Sequence, residues 1–174
     1  MSDRAVMAPL GDSLPERALG RLDQAVTGML LAAVTVMVVV VSAQVGLRYG
    51  FNRSIDWADE VGRLAFVWAI FLAIPLGVRQ SAHIGIDLVI DRMPLAVGRA
   101  FRRGAAALCA ALMFVVAWAA LGVAQEQWDE MMATVDWSVG WFIVPIGIGA
   151  LLSALHLTRI VIVGPPPPKV ASAE

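Results

Sequence analysis

Charged residues are missing from four stretches of the chain, and the remaining features are arranged around those gaps. Gln24–Leu47 runs 24 residues without Asp, Glu, Lys or Arg, Gly104–Gln125 and Trp137–Thr158 run 22 each, and Leu64–Val78 runs 15. A helix needs about 20 apolar residues to cross a hydrocarbon core roughly 30 Å thick. Three runs meet that length, and the short one does so if Arg63 and Arg79 lay their stems along the span and lift their charges out of it. Helices also satisfy their backbone groups internally, as lipid demands. The pattern predicts an all-α membrane protein of four transmembrane helices, at 24–47, 64–79, 104–125 and 137–158. Between them lie an N-terminal tail (1–23), a connection (48–63), a basic loop (80–103), an acidic loop (126–136) and a Pro-rich tail (159–174).

Composition agrees. Apolar residues make up 59% of the 174 and charged residues 16%, with a mean hydropathy of +0.76. Soluble domains average roughly 45–50% and about 25%, and one of this length could not hide so much apolar surface. "VSA" at Val41–Ala43 resembles a signal-peptidase site. However, seven charges from Asp3 to Asp23 precede the first run, which is also longer than a signal peptide's apolar region. An uncleaved first span is therefore expected. Cys109 is the one cysteine, so neither an intramolecular disulfide nor a cysteine metal site can form.

Positive charge sets the orientation. The N-terminal tail holds Arg4, Arg17 and Arg21, the second connection Arg79, Arg92, Arg99, Arg102 and Arg103, and the C-terminal tail Arg159 and Lys169. Four spans put these three segments on one side, which the rule makes the cytoplasm. The third connection carries only acids: Glu126, Asp129, Glu130 and Asp136. Arg48, Arg53 and Arg63 oppose the rule, beside acids that can pair with them locally. Trp57, Trp128, Trp137 and Trp141 fall at the outer boundary, where amphipathic rings favour the interface. Both termini are therefore expected on the cytoplasmic side.

The segment ahead of the second run has helical period. At about 100° per residue, Asp56, Asp59, Glu60 and Arg63 share one arc, and Ile55, Ala58, Val61, Gly62 and Ala65 lie opposite. This predicts a short amphipathic helix lying along the interface, with Ser54 as N-cap and an Asp59–Arg63 pair one turn apart. Its polar arc faces either solvent or a partner. Beyond the run, Arg79, His83, Asp87 and Asp91 recur every four residues. A continuing helix would stack them as a docking face, as a pH-sensitive His83–Asp87 pair, or as an ordinary solvated helix end.

Residues 48 to 87, "RYGFNRSIDWADEVGRLAFVWAIFLAIPLGVRQSAHIGID", resemble the DctQ-type small membrane subunit of TRAP (tripartite ATP-independent periplasmic) transporters. The resemblance rests on Arg48 and Tyr49 after the first span, then Trp57, Asp59, Glu60 and Arg63. It continues through Phe66, Trp68 and Phe71 within the second span to Arg79, His83 and Asp87 beyond it. Ala73 departs from a glycine often found in the family. The resemblance implies a small subunit that scaffolds a large multi-span permease subunit and helps dock a periplasmic substrate-binding protein. The transported solute would carry a carboxylate. Sodium coupling would belong to the large subunit, leaving this chain without a cofactor.

The residues themselves point the same way. A charge at mid-bilayer costs at least about 2.5–3.5 kcal/mol and marks an ion or substrate path where it occurs. None of the four runs contains one, and no internal repeat supplies a transporter's paired halves. No Ser/His/Asp arrangement, phosphate loop or HExxH suggests an enzyme. A haem- or quinone-linked anchor is the alternative, with His83 and His156 as its available histidines. Ala106/Ala110, Ala107/Ala111, Gly149/Ser153 and Ala150/Ala154 are small-residue pairs suited to close helix packing. Pro75 and Pro145 would free carbonyls that partner helices must meet.

Overall fold

The structure, a computed structural model, describes residues 14–79 and 95–163. Four long helices account for most of them: α1 Leu14–Phe51, α2 Asp56–Arg79, α3 Leu95–Glu126 and α4 Val144–Val163, with a single 3-10 turn at Val139–Phe142. Each of the four is long and apolar enough to cross a membrane, and the fourth crossing takes in the 3-10 turn. Among the described residues there is no β-sheet, only an isolated Met131–Ser138 bridge.

α1 outlasts its uncharged run at both ends. It stops at Asn52, whose φ of 50° is a left-handed conformation that asparagine tolerates. The Arg53 N–H returns to the Leu47 carbonyl at 3.2 Å, and α2 starts within four residues. The separate interfacial helix expected ahead of the second span is absent, because Asp56–Arg63 are the first turns of α2 itself. The small apolar arc supplies the reason. Ala58, Gly62 and Ala65 are buried in the bundle rather than laid on lipid, so the segment continues the spanning helix.

The helices pack in the order α1–α2–α4–α3. Along α1 the least exposed residues include Leu19, Asp23, Val26, Leu30, Ala33, Met37, Val40, Gln44 and Leu47, alternating steps of four and three. α2 repeats the step at Ala58, Gly62, Ala65, Ala69 and Leu72. A seam of period 3.5 is that of two helices in a left-handed coil. α2 and α4 are the two inner helices. Ala154 and Leu157 are buried in the middle of α4, and Leu157 packs on Ala106 and Ala110 of α3. Gly149 meets Phe71 of α2. Ala107 and Ala111 of the second small-residue pair are exposed.

Hydroxyls within the helices satisfy themselves locally. Thr27, Thr35, Ser153 and Thr158 each donate to the carbonyl four residues back, at 2.7–2.8 Å.

Candidate functional site

Polar chemistry collects at the two ends of α2. At the tryptophan-rich end, Glu60 reaches the α3–α4 connection. Its Oε1 accepts the Ala133 N–H at 2.9 Å, and its Oε2 accepts the Thr134 N–H at 2.9 Å and also the Thr134 hydroxyl. A carboxylate is an acceptor only, so three donors suit its charge well. Two turns further into α2, roughly 12 Å along the axis, the Trp68 indole N–H donates to the Trp141 carbonyl at 3.1 Å. The Trp141 ring lies 6.3 Å from Trp68 and 5.9 Å from Trp128, both tilted. The connection therefore folds back along α2 instead of looping away from it.

That connection is tightly turned. Val139 N–H donates to the Glu130 carbonyl and Met132 N–H to the Trp137 carbonyl, both at 2.8 Å. Ser138 caps the 3-10 turn by accepting the Gly140 N–H at 3.0 Å. A side chain at Gly140 would stand 2.7 Å from the Trp128 ring, so the turn needs glycine there.

The two buried prolines explain why α2 and α4 meet where they do. Pro75 lacks an N–H, so the Phe71 carbonyl four residues back loses its helical donor. Gly149 of α4 lies against that carbonyl so closely that a Cβ would stand 2.2 Å from its oxygen. Pro145 is second in α4, where a missing N–H costs no helical bond, and the Trp141 carbonyl just ahead of it accepts the Trp68 indole. α4 thus covers the carbonyl that Pro75 frees, and α2 supplies a donor to the carbonyl at the start of α4.

At the opposite end, Asp23 is buried between three helices. Oδ1 accepts from Nε2–H of His156, itself 4% exposed, at 3.0 Å, and Oδ2 accepts from Arg79 Nη1 at 3.0 Å. One carboxylate so joins the ends of α1, α2 and α4.

The expected site residues divide three ways. Glu60, Trp68 and Arg79 are engaged within the chain, as described. Arg48, Tyr49 and Trp57 are exposed, Tyr49 to 84%, and Asp59 and Arg63 pair with each other on an exposed face. His83 and Asp87 lie outside the described residues. The sequence reading missed Asp23, His156, Thr134 and Trp141 as partners. Alternating spans do place Asp23, Arg79 and His156 at one level, which was the available signal. Among the described residues no three His, Cys, Asp or Glu side chains converge as a metal site, and His156 Nε2 is taken by Asp23.

The arrangement is suited to holding helices together. Between its two polar ends the described spans carry no charged side chain.

Comparison with known proteins bears on residues 37–163, which match the sequence model for "Tripartite ATP-independent periplasmic transporters, DctQ component". The C4-dicarboxylate TRAP transporter small permease protein DctQ of Vibrio cholerae is 32% identical over 85 residues, 47% of this chain and 37% of that one. The sialic acid TRAP transporter small permease protein SiaQ of Vibrio cholerae is 24% identical over 78 residues, 45% and 43% of the two chains. The sialic acid TRAP transporter permease protein SiaT of Haemophilus influenzae is 29% identical over 76 residues, 44% of this chain but 12% of its own length. The chain spans less than half the length of these curated relatives.

Proposed function

We propose that this chain, which belongs to the DctQ component family of tripartite ATP-independent periplasmic transporters and is not an enzyme, serves as the small membrane subunit that scaffolds a large permease subunit. The large subunit would carry a carboxylate-bearing solute, driven by sodium and delivered by a periplasmic binding protein. The chain would sit in the inner membrane with both termini cytoplasmic.

The carrying observation is the absence of charge from the middle of all four spans, which leaves a transport path to another subunit. Two relatives add support. SiaT matches over only 12% of its length, so a unit like this one occurs joined to a much longer permease chain. Relatives named for C4-dicarboxylates and sialic acid favour a carboxylate, and one named for isethionate carries a sulfonate in its place, so the solute class they have in common is a small organic anion. Within this chain, contact with the large subunit falls to the residues that the fold leaves uncovered: Arg48, Tyr49, Trp57 and the Asp59–Arg63 pair. Glu60 and Trp68 shape the surface from beneath.

Reconstitution tests the reading. The chain alone in vesicles should move no solute under a sodium gradient, and uptake should begin when the large subunit and binding protein are added. Gradient-driven uptake by this chain alone would overturn the subunit assignment.

A further inference from the structure

The Asp23 clamp uses only part of Arg79. One Nη1 reaches Asp23, and the side chain remains 53% exposed. Asp23 has little more to offer, since its other oxygen is held by His156. Arg21, two residues earlier on α1, is exposed and has no ion-pair partner among the described residues. Arg21 and Arg79 face a shared open depression of about 380 Å³ between α1 and α2, completed by Gly20 and Gln24.

Its lining defines the ligand. The Arg21 guanidinium, the part of Arg79 that Asp23 leaves free and an amide match the oxygens of a phosphate, and Asp23, the acid beside them among the described residues, is already engaged. Its position defines the source. The uncharged run of α1 begins at Gln24 and that of α2 ends at Val78, so the depression lies at the end of both runs, the level at which a membrane's headgroups are expected. One and two turns below Gln24 on the same face come Gly28, open on its outer side, and Leu31, 62% exposed. They form a bare apolar strip on which an acyl chain can lie.

We propose that Arg21, Gln24 and Arg79 form a headgroup site for an anionic phospholipid, with the phosphodiester between the two guanidinium groups and an acyl chain over Gly28 and Leu31. Basic pockets between helix ends bind anionic headgroups in this way. The site requires only that the helices span a membrane, and does not depend on which subunit the chain supports.

The test is native mass spectrometry of the full chain released from neutral detergent. Phosphatidylglycerol and phosphatidylcholine with identical acyl chains are supplied in equal amounts. Wild type should retain phosphatidylglycerol in excess, and Arg21→Gln should reduce that excess about fivefold, the loss of one interfacial arginine. Arg103→Gln, on exposed α3 surface, should leave it unchanged. Arg79 is left intact because it also holds Asp23. Three outcomes would overturn the proposal: equal retention of the two lipids, equal losses from both variants, or displacement of the lipid by inorganic phosphate at matching concentration.

Discussion

Asp23 and His156 stand where two leucines would dissolve readily in the bundle, so their polarity has to be answered from within. Each answers the other, and Arg79 completes the set. His156→Leu leaves one buried carboxylate oxygen without its donor, a loss on the order of 1–3 kcal/mol. Asp23→Asn keeps an acceptor for His156 while giving up the charge on Arg79, and should lose less. Thermal unfolding in detergent checks the order, and equal midpoints for wild type and His156→Leu would show that the contact contributes nothing. The sequence marked these residues only by level. Asp23 is the last charge before the first run and His156 lies late in the fourth, but which way each faces around its helix is not written in the residue type. Glu60 is similar. Its arc was legible from helical period, whereas its partners at Ala133 and Thr134 lie 73 and 74 residues away.

α2 and α4 depend on each other as elements. Their prolines are buried, and the carbonyls of Phe71 and Trp141 face Gly149 and Trp68 across the seam. Gly149→Ala would drive a Cβ to 2.2 Å from the Phe71 carbonyl oxygen, which belongs to backbone and cannot swing aside. Separation of the helices should follow, with destabilisation of about 1–3 kcal/mol or more. Gly147→Ala is the matched control. Its Cβ would rest 3.6 Å from the Ala120 methyl, an ordinary contact, so its unfolding midpoint should stay at or above wild type. Equal midpoints for the two variants would contradict the seam. The prolines and the Gly149/Ser153 pair were visible in the sequence as demands for close packing. The interfacial helix was misjudged because a small apolar arc suits lipid and a neighbouring helix equally well.

At the scale of the molecule, the up-and-down path puts the acidic connection and the arginine-rich helix ends on opposite sides. Cysteines introduced at Asp129 and Arg103 in a Cys109→Ala background should differ in labelling by an impermeant maleimide. Asp129→Cys should react in intact cells, and Arg103→Cys only after the membrane is opened. Labelling of both from one side would break the four-crossing path. That path, the helical class and the near absence of mid-membrane charge were determined by the sequence alone, because a bilayer excludes charge and unpaired backbone whatever the neighbours are. The order α1–α2–α4–α3, the placing of α2 and α4 inside it, the tie from Glu60 to the connection and the burial of Asp23 were decided only by tertiary structure. In water, burial separates apolar from polar faces and leaves a period in the sequence. In lipid, the buried seam and the exposed face of a helix are almost equally apolar, so the choice between them rests on close packing and on a few polar contacts between residues far apart in the chain.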